Sequence, residues 1–250
     1  MKLKRVVLSR ERLTSAAGGR WDPSQIAHAA DVLAKGGGKL PPKTTGLPPD
    51  LIKLIQHERI LVAMLRAVAE LGYRAASVQD VLDRAGVSRP TFYEFFGNKE
   101  ECFIAAFEEG GKRLRNRVET AAREGGEDWR DRLRAGLAEL LQFLADEPDA
   151  ARVLIVEARV AGPAPLHRRD QLLDYFAAWI DSEAREGVGD APSSIAAAGI
   201  VGGIETLLYS RINRGETELQ GLLPSLMYFA VLPYAGRRTA AAELRDAAAD

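Results

Sequence analysis

SVQDVLDRAGVSRPTFYEFF, residues 77–96, is the stretch from which the rest of the chain can be read. It holds two short helices. Ser77-x-x-Asp80 has the form of a capping box, in which each side chain bonds the other's backbone N–H. Gly86 stops the first helix, because a residue without Cβ takes the left-handed conformation at low cost. Ser88 caps the second, and Pro90 is tolerated in a first turn where its missing N–H had no partner. Val78, Val81, Leu82, Val87, Phe92 and Phe96 form an inward set. Arg89, Thr91, Tyr93 and Glu94, then Lys99, are left outward. Hydroxyls and cations together on one exposed face are the groups that grip phosphates. The pattern predicts a helix-turn-helix over 77–97.

On either side the chain continues as helix. From Asp50, Leu54, Leu61, Leu65 and Val68 make an apolar stripe that ends at Gly72. Asn98 caps a fourth helix carrying Phe103, Ile104 and Phe107 toward a core. Beyond Gly125 and Gly126 the spacing predicts helices near 127–146, 148–161, 164–187, 192–214 and 218–236. No segment alternates like a strand, so the fold class is all-α. Residues 195–210 carry only Glu205 as a charge, and 222–236 carry none. Both runs are short of the roughly twenty residues of a membrane span and read as buried helices. The division expected is a basic Gly/Pro-rich extension at 1–50, a head at 51–98, a helical domain at 99–237 and an Ala-rich tail at 238–250. Within the extension, Asp22 and Pro23 start a short helix with Ile26, Ala29, Ala30 and Leu33 on one face, stopped by Gly36.

The 250 residues have a net charge of -1, which conceals an asymmetry. The first hundred carry 16 Lys/Arg against 10 Asp/Glu and the rest 18 against 25, net +6 and -7. A polyanionic partner for the N-terminal part follows from that split. Lys2, Lys4, Arg5, Arg10 and Arg12, with Glu11 as the one acid among them, form its densest part. They are either a flexible arm lying in the adjacent minor groove or a tail without a partner. The single cysteine, Cys102, excludes an intramolecular disulfide framework and fits a reducing cytoplasm. His28, His57 and His167 are not at zinc-ligand spacing. No nucleophile–base arrangement, glycine-rich phosphate loop or facing carboxylate pair is present, so no enzyme, metal or cofactor is expected.

The first-helix stretch ILVAMLRAVAELGY, the start Ser77-Val78-x-Asp80, Ala85-Gly86-Val87-Ser88 and Thr91-Phe92-Tyr93-x-x-Phe96-x-x-Lys99-Glu100 together resemble the tetracycline-repressor (TetR) family. The resemblance covers residues 51–110 as motif and 111–236 as helix layout. It implies a cytoplasmic homodimeric repressor with a three-helix head on double-stranded operator DNA. A larger helical domain then binds a small molecule and changes head separation so that DNA is released. Carried over residue by residue, it makes Ser88 a cap whose backbone meets phosphate, and Arg89 and Thr91 groove or phosphate contacts. Tyr93 becomes the phosphate-gripping tyrosine and Lys99 a phosphate-binding lysine. Two departures stand out. Leu82 replaces a small residue under the recognition helix, and Phe95 replaces a Tyr or His and removes a phosphate hydrogen bond.

The resemblance also implies a dimer through the last two helices. Ala196, Gly199 and Gly203 allow close approach there, and Leu207, Leu208, Leu223, Leu226, Phe229 and Val231 supply apolar contact. Phe103, Phe107, Leu137, Leu141, Phe143, Tyr175, Phe176 and Trp179 are either effector-pocket lining or plain core. Few polar groups converge among them, which favours an apolar or aromatic effector. Glu157 and Arg159 face either that pocket or the outside, and His57 and His167 read as surface residues. The competing reading is a helical small-molecule sensor that acts through a protein partner.

Overall fold

The computed structural model of the chain describes residues 21–22, 24–27, 47–187 and 195–246. The basic run at 2–12 and most of the short helix expected at 23–35 lie outside them. Two compact units divide the chain between Ala106 and Phe107.

The first unit begins with a helical turn at 24–27. Asp22 Oδ1 accepts the N–H groups of Ser24 (2.8 Å) and Gln25 (3.0 Å), and Gln25 Oε1 accepts the Asp22 N–H. This is the N-cap expected of Asp22. Ile26 is buried against Leu47, Leu51 and Ile55, with Trp21, Ile52 and Leu54 around them. Leu51 and Ile55 belong to α1 (Pro49–Leu71), the helix of the Leu54–Val68 stripe, which ends at Gly72 with φ 78°. Next come α2 (Val78–Ala85) and α3 (Arg89–Phe95). Between them Gly86 sits in the left-handed region at φ 64°. There a Cβ would clash with the following carbonyl, so glycine sets the turn. Val81, Leu82, Phe92 and Phe96 are buried as expected, while Val78 and Val87 are half-buried. Each large apolar side chain enclosed this way contributes about 1.5–3 kcal/mol.

The fourth helix, α4 (Lys99–Glu124), starts from an Asn98 cap: Asn98 Oδ1 accepts the Glu101 N–H at 2.9 Å. Its first turns pack as part of the head rather than of a separate domain from residue 99. Cys102, Phe103 and Ala106 are fully buried there, and the Phe103 ring meets Tyr73 edge-on at 4.7 Å.

The second unit holds the rest of α4, then α5 (Trp129–Asp146), α6 (Pro148–Ile155), α7 (Pro163–Gly187), α8 (Ile195–Asn213) and α9 (Leu223–Asp246). The helix expected over 148–161 is α6 plus a 3₁₀ turn at Glu157–Arg159. Ahead of α9 the segment Gln220–Leu222 is a second 3₁₀ turn. Gly236, at φ 75° and ψ 171°, interrupts α9 where the expected helix ends, but the chain resumes helix to Asp246. Residues 238–246 of the segment read as an Ala-rich tail are therefore helix. Ala240 and Glu243 are buried, and Glu243 pairs with Arg134 on α5. Alanine's helix propensity and the ion pairs of Glu243 with Arg134 and Arg130 account for the difference. Close approach of α5 and α7 depends on Gly136, where a Cβ would lie 2.5 Å from the Trp179 ring.

By length and composition α8 is apolar enough to cross a membrane. Its buried face (Ala197, Ile200, Val201, Ile204, Glu205, Leu208 and Ile212) instead forms a wall of the helical unit, and its one carboxylate is paired with two arginines inside that unit.

Candidate nucleic-acid interface and effector cavity

In the head, α2 and α3 are each fixed at their N-termini. Ser77 Oγ accepts the Asp80 N–H at 3.2 Å, and the Asp80 carboxylate accepts the Ser77 N–H at 2.9 Å and its hydroxyl at 2.5 Å. These bonds, the hydroxyl's first, hold the Asp80 carboxyl below its ordinary pKa. Ser88 Oγ accepts the Thr91 N–H at 3.2 Å and lies 2.8 Å from Thr91 Oγ1, so two of the expected contact residues also order the start of α3.

Arg89 is exposed, and its Nη2 donates to Gln79 Oε1 on α2 at 3.0 Å. The Gln79 amide in turn donates to Asp83 at 2.8 Å. A neutral amide thus holds the guanidinium in place without neutralising it, leaving its charge for a phosphate or a base edge. Tyr93 is 48% exposed, and its hydroxyl has no hydrogen-bond partner among the described residues. Its ring rests edge-on against Phe92, 5.3 Å between centroids. Ser88, Arg89, Thr91 and Tyr93 are thus brought together on α3.

Lys99 is placed differently. Its ammonium donates to the carbonyls of Tyr73 (2.8 Å) and Ala76 (2.9 Å) and lies 4.3 Å from the Tyr73 ring centroid. Two of its three N–H donors therefore close the α1–α2 loop onto α4. Lys99, expected to bind phosphate, thus also clamps this loop and keeps one N–H donor. His57, read as a surface residue, stacks on Phe96 at 5.4 Å and meets Phe95 edge-on at 5.5 Å. Phe95, where the family offers a hydroxyl or imidazole, is thus packing for α1.

In the second unit an apolar cavity lies among α4–α8. Leu137, Phe176 and Trp179 line it, as do Leu140, Leu173 and Val201. Leu141 and Phe143 are plain core, and Phe103 belongs to the head. Two charged residues border the cavity, Arg169 and Glu205. Spacing offered one sign of this: Glu205 is the single charge in 195–210. Arg159, left open between pocket and exterior, pairs with Glu205. Glu157 is buried and pairs with Arg152 at 3.2 Å. Among the described residues no group of three His, Cys, Asp or Glu could hold a metal.

Residues 60–106, which span the helix-turn-helix, match the family of bacterial regulatory proteins of the tetR type. A TetR-type DNA-binding head thus spans residues 60–106. The HTH-type transcriptional activator FasR of Mycolicibacterium smegmatis is 30% identical over 105 residues, 42% of this chain and 48% of FasR. The fatty acid metabolism regulator protein of Bacillus subtilis is 25% identical over 133 residues, 53% of this chain and 68% of that protein. The match with FasR thus spans about half of that relative's length. The fold is shared with FadR of Bacillus subtilis in complex with stearoyl-CoA, at TM-score 0.64 and 23% identity over 72% of this chain and 98% of that one. FadR from Bacillus halodurans is similar, with TM-score 0.63 and 21% identity over 70% and 97%.

Proposed function

We propose that this chain is a TetR-family, homodimeric, ligand-responsive transcription regulator of the cytoplasm. It binds operator DNA through α2 and α3, and its effector carries a long acyl chain. The observation that carries the DNA reading is the exposed face of α3. Arg89, Thr91 and Tyr93 stand outward over a core closed by Phe92 and Phe96. In this reading α3 enters the major groove, Arg89 meets a base edge or phosphate, and the Tyr93 hydroxyl donates to a phosphate oxygen.

The apolar cavity supports the effector reading. Its lining suits an alkyl chain better than a polar metabolite. Two of the relatives are named for fatty acid metabolism or degradation, and one is solved with stearoyl-CoA. The effector weakens operator binding by favouring the DNA-incompetent state, which it must bind more tightly than the competent one.

Salt titration of binding to the DNA upstream of the chain's own gene tests the reading. Tyr93→Phe should weaken operator and random DNA alike with the salt slope unchanged, because a neutral hydroxyl displaces no counterion. Arg89→Ala should change the ratio between the two DNAs if it reads a base. Addition of acyl-CoA to the wild-type complex should release the DNA. Wild-type protein that binds this DNA no better than random DNA at any salt concentration would refute operator recognition there.

A further inference from the structure

The apolar wall of the cavity is broken at one place by charge. Glu205 is buried, and its Oε1 accepts from Arg169 Nη2 at 3.0 Å and from Arg159 Nε at 3.1 Å, while Oε2 pairs with Arg159. Arg159 also stacks on the Tyr209 ring at 4.3 Å. The Arg169 side chain is 15% exposed and borders the cavity. Its remaining edge, Nη1, donates at 2.8 Å to Asp170, the next residue along the chain, whose side chain is 54% exposed. Two arginines and one buried carboxylate leave a net positive charge beside an apolar space, balanced only by a solvent-screened aspartate.

A buried triad of this kind is weak support for stability, since apolar residues of the same volume commonly serve as well or better. It does suit recognition. Glu205 fixes the guanidinium plane of Arg169, and Asp170 is a partner that an incoming anion can displace, because water covers more than half of it.

Building on the acyl-effector reading, we propose that Arg169 receives the polar head of the ligand. The alkyl chain lies along the apolar lining, and the carbonyl-bearing anionic end takes the Nη1 edge from Asp170. Glu205 is a positioning residue that orients Arg169 without touching the ligand. The head is either a free carboxylate or the phosphate-bearing coenzyme A of an acyl-CoA, both of them anionic.

Calorimetric titration of the full chain with dodecanoate, dodecanoyl-CoA and dodecyltrimethylammonium, each below its micelle concentration, decides this. Wild type should bind at least one of the two anionic ligands tenfold or more better than the cation. Arg169→Met, with its melting curve checked, should abolish that preference, and Asp170→Asn should raise anion affinity several-fold. Loss of affinity confined to dodecanoate identifies a free carboxylate, and loss confined to dodecanoyl-CoA identifies the phosphate-bearing CoA. Either supports the assignment. A folded Arg169→Met protein that keeps the wild-type preference overturns it and leaves the acyl reading standing. Should Arg169→Met not fold, unchanged anion affinity in Asp170→Asn overturns it instead. Failure of wild type to bind any of the three chains removes the acyl effector itself, and the head assignment with it.

Discussion

Lys99 holds Tyr73 in two ways: its ammonium donates to the Tyr73 carbonyl at 2.8 Å and sits 4.3 Å from the centroid of the same residue's ring. A second bond to Ala76 completes a clamp between the start of α4 and the loop joining α1 to α2. The lysine therefore acts on the shape of the head before it acts on any ligand.

Lys99→Met should destabilise the head by about 1.5–3 kcal/mol, the range for hydrogen bonds made by a charged group. Urea unfolding of wild type and variant measures it. A residue serving phosphate alone would show the reverse: unchanged stability and a salt slope of DNA binding reduced by about 1.

The capping box of α2 should titrate with a definite sign. Because Ser77's hydroxyl, then its N–H, lowers the Asp80 pKa in the folded protein, the carboxylate's support is complete above the ordinary value of 3.8. That support is lost as pH falls through the lower folded pKa. An NMR titration should place the Asp80 midpoint below 3.8, and Ser77→Ala should move it upward. A midpoint unaffected by Ser77→Ala would show that the hydroxyl is not the cause.

Ile26 and the basic run before it should separate into a structural part and a DNA-binding part. Ile26→Ala removes a buried side chain from the cluster with Leu47, Leu51 and Ile55, and should cost about 2–5 kcal/mol in thermal or urea unfolding. Deleting residues 1–20 should leave unfolding unchanged but lower operator affinity and make the salt slope shallower. Equal affinity and slope would show that the basic run plays no part in DNA binding.

The dimer expected through α8 and α9 is best tested at Gly199. No atom lies within 4 Å of a Cβ built there, whereas one at Gly203 would meet the Phe229 ring at 2.8 Å. Leu208, Leu226 and Val231, expected in the dimer contact, are buried within the protomer, while Ile195 and Phe229 are exposed. Gly199→Leu should therefore fold normally yet sediment as a monomer, because the new side chain blocks only an approaching helix. A wild-type-like dimer would take Gly199 out of the interface.

What the chain determines locally was legible in its sequence. Caps at Asp22, Ser77, Ser88 and Asn98, and stops at Gly72 and Gly86, depend on side chains within a few residues of the backbone they satisfy. The helix periods of α1 to α4 and the outward set on α3 follow from the same short-range chemistry. Only the tertiary structure decided which partner each long side chain finds. Lys99 reaches carbonyls more than twenty residues away, Arg159 and Arg169 reach Glu205 from 46 and 36 residues before it, and Glu243 reaches back 109 residues to Arg134. Such pairings depend on how helices stack, and helical periodicity records which face is apolar but not which neighbour covers it. For that reason the head was readable from one motif, while the cavity and its charged edge emerged only from packing.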